Sequence, residues 1–322
     1  MRACSAIAKA LVFVGLALST ARAQQAYPTR PITLTHGFAA GGNGDVVSRI
    51  VGDALSKRLG QPVVVEARPG AGGNTASQRL ATSPPDGYTL ISLVGGHAVS
   101  AAIYKSLPFD PIESFQFISI YGYQAFIIAV RADNPIKTLP DLIAAAKANP
   151  GKLTYSSVGV GSAQHLAGEL LCAMACIQMT HVPYRGGGGP MTDLLGGSID
   201  VNVDTITVIE PQVQAGTVTA LGVTSEKKWW SLPDITPVSA TLPGYDVLTW
   251  LGLAAPKGTP PAIVEKLNAA TRAGLADKET VERLNKVGLD VHPSTPDEMK
   301  AMVTEQIAKW KKVVADSHIP QQ

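Results

Sequence analysis

The chain has 322 residues, 45% of them hydrophobic, enough to build two lobes of ordinary domain size. Its 27 Lys and Arg against 25 Asp and Glu give a formal charge of only +2, which excludes a strongly basic nucleic-acid binder. Three of those basic residues, Arg2, Lys9 and Arg22, accompany an apolar run over 10–18 and the small-x-small sequence Ala21-Arg22-Ala23. Together they read as an export signal over residues 1–23, cleaved on passage to the periplasm. The apolar run is shorter than the roughly 20 residues of a membrane span. Cleavage leaves 24 basic residues against 25 acidic ones, so no positive excess survives. No cysteine stands directly after the cleavage site, which speaks against a lipid anchor.

Beyond the signal, strand and helix patterns alternate, which predicts a mainly parallel sheet covered by helices. Ile32 to Thr35 is strand-like, and Val47, Ile50, Val51, Ala54 and Leu55 then recur at helical spacing. A buried strand at Val63–Val65, the RPGAGG turn at 68–73 and a helix near Thr75–Ala81 follow; PPDG at 84–87 precedes a strand over Tyr88–Val94. A second set begins with a strand at Phe126–Val130. Thr138-x-x-Asp141, with Pro140 in the first turn, forms a capping box for a helix over 139–148. A strand at Leu153–Tyr155 leads into a helix over 163–174, and further strands are predicted at Thr180–Val182, Ile199–Val203 and Thr219–Thr224. Thr259 is placed to cap a helix over 261–275, and Thr295-x-x-Glu298 opens the last helix, whose Met299, Met302, Val303, Trp310 and Val313 share one face.

Two glycine-rich turns join a strand to a helix: HGFAAGGNGD, His36 to Asp45, and SSVGVGSAQH, Ser156 to His165. Each aims free backbone N–H groups and the positive end of a helix dipole forward, which makes an anion site. The main chain of Phe38, Ala39, Gly41, Gly42, Asn43 and Gly44 can approach a ligand closely. Asp45 either caps its helix or also contacts a ligand hydroxyl. Ser156 and Ser157 can donate hydroxyls, Val160 and Gly161 offer main chain, Ser162 is a natural N-cap, and His165 lies one turn into the helix. A third turn, HVPYRGGGGP, carries Tyr184 and Arg185; the latter reads as a surface arginine. Asp204 and Thr205 stand at the C-terminal end of a strand, the edge where open α/β sheets bind ligands.

Other chemistries find little support. GVGSAQ has Gln164 where a dinucleotide fingerprint needs its third glycine, there is no G-K-[ST] loop, and Ser162 with His165 lacks a third member. Histidines 36, 97, 165, 181, 292 and 318 form no sequence-local metal set, so neither metal nor cofactor is expected. Cys172 and Cys176, four apart, allow a local disulfide in an oxidising compartment or two free thiols.

Taken together, YPTRPITL, GFAAGGNGD, GQPVVVEARPGAGG, PPDGYTL, SVGVGSAQHLAGELL, THVPYRGGGGPMTDLLGGSIDV and IAKWKKVV resemble the extracytoplasmic receptors of tripartite tricarboxylate transporters, the Bug-type receptors. The resemblance runs from Tyr27 to the final helix. It implies an α/β type II periplasmic-binding-protein fold, in which two α/β lobes joined by two chain crossings hold a ligand cleft between them. Mapped onto this chain, lobe one is 27–127 plus 253–322 and lobe two is 128–252. The implied function is capture of a small organic acid (a di- or tricarboxylate, acidic amino acid or aromatic carboxylate) and delivery to membrane permease subunits, by a monomer without catalysis. The resemblance assigns the carboxylate to main chain and waters of the loops Phe38–Asp45 and Ser156–His165, without an arginine. It places His97 and Thr205 at side contacts that vary with ligand. This chain departs from the family pattern at Gly37, Ala40 and His97, all near the expected pocket. An orphan receptor serving a membrane sensor is the second reading, and an exported α/β enzyme using Ser162 and His165 the remote one.

Overall fold

The computed structural model describes residues 27–322, so the export signal predicted at 1–23 lies outside the described residues. The chain starts with three parallel strands and their helices: β1 (Ile32–His36), α1 (Asn43–Leu59), β2 (Val63–Ala67), α2 (Asn74–Ala81), β3 (Thr89–Val94) and α3 (Gly96–Ile103). β1 pairs in parallel with both β2 and β3. The long strand β4 (Phe115–Arg131) then enters a second unit of α4 (Leu139–Ala148), β5 (Thr154–Ser157), α5 (Ala163–Ala175), β6 (Thr180–Pro183), α6 (Gly189–Gly196), β7 (Val201–Thr205), α7 (Ile206–Gln214) and β8 (Val218–Val223). Here β5 pairs in parallel with β6 and β7. Strand β9 (Leu248–Pro256) returns the chain to the first unit, which α8 (Pro261–Leu275), α9 (Lys278–Lys286), β10 (Asp290–Val291) and α10 (Pro296–Asp316) complete.

The sheet is mixed rather than mainly parallel. Each lobe has a parallel set, but β9 runs antiparallel to β3 and β4, and β4 runs antiparallel to β7, β8 and β10. The reason is the 17-residue β4, which serves both halves. Its residues Phe115–Ala125 pair with β9, and Phe126–Arg131 pair with β7 and β8. Nearly every β4 residue is buried, so it lacks the in–out alternation of a half-exposed strand and reads as a continuous apolar run.

One apolar cluster continues past this partner exchange, from Ile91 and Phe117 through Phe126 and Ile128 to Leu166 and Leu171. Helix α10 lies along it with Met299, Val303, Ile307, Trp310 and Val314 buried. Two further clusters cover the opposite face of each lobe separately, one around Val47, Leu55 and Leu267, the other around Ile127, Ile206 and Ile209. The Met and Trp of the last helix are therefore core.

Local signals hold where they were strongest. Thr138 with Asp141 and Thr295 with Glu298 both form complete capping boxes, and Ser162 accepts from the His165 N–H. Thr259 does not cap α8; its hydroxyl donates instead to the Pro256 carbonyl at 2.8 Å, and Pro260 precedes the helix. Cys172 and Cys176 are free thiols, the first part-buried within α5 and the second exposed in a left-handed conformation at its end. That end geometry turns Cys176 outward, away from the face that buries Cys172.

Candidate ligand-binding cleft

The lobes meet across a cleft of about 450 Å³. That is room for small polar guests held tightly. Its apolar walls are Phe38, Val94, Phe126 and Val158. The polar groups come from helix beginnings. Gly42, Asn43 and Gly44 open α1, Gly96 opens α3, Ala163 and Gln164 open α5, and Thr205 precedes α7. Four helix N-termini from both lobes thus face one space, and their first N–H groups have no acceptor within the helix. Each termination carries about half a positive charge. Among the described residues no lysine or arginine lines the cleft, and Arg185 lies exposed beside it. The positive groups that face the cleft are main-chain dipoles, an arrangement suited to an anion.

Glycine permits the close approach where the lobes touch. A Cβ on Gly42 would sit 3.1 Å from the Gly187 nitrogen across the cleft mouth. Beside this contact the Ala39 N–H donates to the Arg185 carbonyl at 3.0 Å. On the other flank Ser100 Oγ donates to Gly161 O and Tyr104 OH to Val160 O, both at 3.2 Å. Near the crossing, Thr207 Oγ1 bonds Asn43 Oδ1 at 2.9 Å, and Gln124 Nε2 bonds Thr207 Oγ1 at 2.8 Å.

The model of the tripartite tricarboxylate transporter family receptor matches residues 47–319. The chain belongs to this family. Among solved structures the receptor is similar to the periplasmic binding protein BugD, with TM-score 0.89 and 33% identity over 92% of this chain and 100% of that one. It is likewise similar to a protein of R. palustris with adipate (TM-score 0.88, 32% identity, 92% of this chain and 100% of that one). A third is MatC from Rhodopseudomonas palustris with bound malate (TM-score 0.86, 32% identity, 89% and 100%). The receptor is therefore a periplasmic solute-binding protein of the type II fold, two α/β lobes with the cleft between them. No helix among its described residues is long and apolar enough to cross a membrane.

Of the residues singled out in the receptor's sequence, Phe38, Gly42, Asn43, Gly44, Asp204 and Thr205 line the cleft. The others stand behind it. Asp45 braces the first turn: Oδ2 accepts the Gly41 N–H at 3.0 Å, and Oδ1 lies 2.9 Å from Arg49 and 3.2 Å from His36 Nε2. Burial works to raise the Asp45 carboxyl, but the Arg49 guanidinium and the Gly41 N–H outweigh it and hold the group below its ordinary value. Burial also keeps His36 below its ordinary value, against the pull of Asp45. Ala39 and Gly41 contribute to the rim rather than the lining.

The second turn is braced by neutral groups. Ser157 Oγ lies 2.7 Å from His181 Nε2 and accepts the Gly159 N–H at 3.1 Å, and His165 stacks on His181 with centroids 4.2 Å apart. The His165 Nδ1 faces the Gly161 N–H at 3.4 Å. Burial lowers both imidazoles to about 4, so they are uncharged at neutral pH. Ser156 donates to Asn202 Oδ1 at 3.0 Å, Ser162 caps α5, and Val160 with Gly161 meets the opposite lobe. Tyr184 gives its hydroxyl to Asp193. His97 does not reach the cleft: its Nε2 lies 2.7 Å from the Pro111 carbonyl and its ring packs against Phe109 and Phe115. That apolar surrounding lowers it to about 4.

Sequence reasoning missed Val94, Gly96, Phe126, Val158, Ala163, Gln164, Gly186, Gly187 and Thr249 in the lining. Gln164 carried a usable signal, since it occupies the second residue of a helix whose preceding turn faces the ligand. Phe126 and Thr249 carried none, because only the pairing of β4 with β7 brings Phe126 to the cleft and only its pairing with β9 brings Thr249 there.

Proposed function

We propose that the receptor captures a small organic acid between its lobes, closes over it, and presents the closed complex to the permease of a tripartite-type transporter. The convergence of four helix N-termini on a cleft without basic side chains carries this reading, because it favours a carboxylate while leaving the remainder of the ligand to the walls. The similar proteins with adipate and with malate support the same ligand class. We take the lobes as 27–127 plus 253–322 and 128–252, moving about 125–131 and 248–256. The ligand shifts the lobes toward closure by its greater affinity for the closed form, to which the cross-cleft bonds of Ala39, Ser100 and Tyr104 also contribute. The receptor acts as a monomer. No catalytic step is assigned: Ser162 Oγ accepts from the main chain of His165, whose ring turns to Gly161, so the two do not form a nucleophile–base pair.

A thermal-shift screen of organic acids tests this. A ligand at about 100 Kd stabilises the folded receptor by about 2.7 kcal/mol. Carboxylates are expected to raise the Tm, whereas neutral sugars and cations leave it unchanged. Response to sugars or cations alone overturns the proposal. Transport assays with and without the cognate permease then separate delivery to a transporter from service to a sensor.

A further inference from the structure

The cleft contains one group that opposes its own electrostatics. Asp204, the fourth residue of β7, is 3% exposed and lines the cleft among the helix N-termini. Its Oδ1 is fully engaged, accepting the Thr205 N–H at 2.7 Å, Thr205 Oγ1 at 3.4 Å and Gln164 Nε2 at 3.3 Å. Oδ2 has no partner among the described residues, yet it is not sealed off with the buried unpaired atoms, so it opens onto the cavity. The Thr205 and Gln164 bonds fix the carboxyl plane and keep that oxygen pointing at the ligand space.

A ligand carboxylate drawn in by the dipoles therefore meets a second carboxyl with a free acceptor. An unpaired acceptor buried under a ligand loses its hydration without compensation. We propose that Asp204 makes this receptor selective for acids that carry, besides the carboxylate, a hydrogen-bond donor (a hydroxyl or an ammonium group) that occupies Oδ2. The inference rests on the organic-acid reading above and narrows it. The fold accepts both kinds of acid, since one similar protein holds adipate and another malate, so the choice falls to the side chains of each cleft.

A pH signature follows. Burial raises the Asp204 carboxyl to about 6, although the Thr205 and Gln164 bonds pull it down. No charge contributes: Glu169 and His165 of α5 face Tyr155 and His181, Asp193 of α6 faces Tyr184, and Glu210 of α7 faces Gln214. An acid without the donor binds best when Asp204 is protonated and can itself donate, so its affinity falls as pH rises above about 6. A donor-bearing acid uses the ionised form and keeps its affinity.

Calorimetric titration of the mature receptor with matched pairs tests this: succinate against malate, succinate against aspartate, and adipate against 2-aminoadipate, each at pH 5 and pH 8. At pH 8 the donor-bearing member of at least one pair is expected to bind about tenfold tighter or more, as for a hydrogen bond to a charged group. The preference shrinks at pH 5. Asp204→Asn, which puts an N–H where Oδ2 stood, is expected to reduce the preference below about threefold by strengthening the donor-free acid. Because the pH arm uses the unaltered protein, the inference does not depend on the variant folding. Equal binding within every pair at pH 8, or a preference that survives Asp204→Asn, overturns this inference and leaves the organic-acid reading standing. Binding of no acid, in the pairs or in the wider screen, overturns both.

Discussion

The two glycine turns answer one demand, presenting bare N–H groups to an anion, with opposite chemistry behind them. The first is held by charge: Asp45 ties Gly41, Arg49 and His36 into one ionised brace. The second is held by stacked neutral imidazoles and a serine, with Ser162 closing the helix start. In each case the polar side chains turn away from the ligand and fix the loop, so that the backbone faces the cleft. The difference shows that preorganisation of the main chain is the common requirement, and that either kind of brace supplies it.

The largest effect is expected where the second turn meets the first lobe. Gly72 has φ +63°, and a Cβ there would lie 2.5 Å from the Val160 carbonyl oxygen. Gly72→Ala costs about 1 kcal/mol of fold stability for its left-handed conformation. The collision itself forms only on closure, so affinity for the acid is expected to fall at least about a hundredfold, near 2.7 kcal/mol. Calorimetry beside the Tm of the ligand-free protein reads the two effects separately. Unchanged affinity would remove the second turn from the closing surface.

Next comes the charged brace. Asp45→Ala strips an acceptor from Gly41, Arg49 and His36 together. A loss of about 2–3 kcal/mol in urea unfolding is expected, with weaker binding, whereas Asp45→Asn, still able to accept from Gly41, loses less. Equal losses for the two variants would mean that charge, not the Gly41 bond, holds the turn.

The neutral brace is distinguished by acid. His165 and His181 are lowered to about 4, whereas the unfolded chain titrates near 6.5. Below 6.5 the unfolded state binds more protons, so this stability is complete above 6.5 and is lost as pH falls toward 4. His36, also lowered by burial, likewise loses its contribution as pH falls below 6.5, while Asp45, lowered below 3.8, loses its contribution only at lower pH. Exchange of His165 for glutamine is expected to flatten the decline between pH 6.5 and 4 by about 2 kcal/mol, read from denaturation midpoints across pH. An identical pH profile would show that His165 carries no depressed titration.

Much of this architecture was legible because its signals are local. The capping boxes at Thr138 and Thr295 need only four residues, and both formed where the spacing put them. The glycine turns announced two anion-facing loops for the same reason. What escaped depended on distant pairing. The first part of β4, α3 and α7 have no strong boundary signal of their own, and the antiparallel insertion of β9 between β3 and β4 appears only in the assembled sheet. At the site, a motif marks a loop but not which of its side chains turn forward. Asp45, Ser157 and His165 look like ligand groups in sequence and serve as braces. Phe126 and Thr249 look ordinary and reach the cleft. His97, expected at the pocket, instead fills an aromatic pocket with Phe109 and Phe115.

The smallest expected effect decides what the second turn uses to hold its ligand. Ser162 Oγ accepts the His165 N–H at 3.1 Å, the third N–H of α5. Replacing it by alanine removes an N-cap and costs about 1 kcal/mol of stability. The forward N–H groups, those of Ala163 and Gln164, belong to the backbone and survive the change, as does their share of the helix dipole. Affinity for the acid is therefore expected to fall by less than about threefold, a part of that 1 kcal/mol. A fall of thirtyfold or more would mean that the hydroxyl itself touches the ligand. In that event the second turn binds through a side chain while the first binds through main chain, and the two would no longer be equivalent halves of one anion clamp.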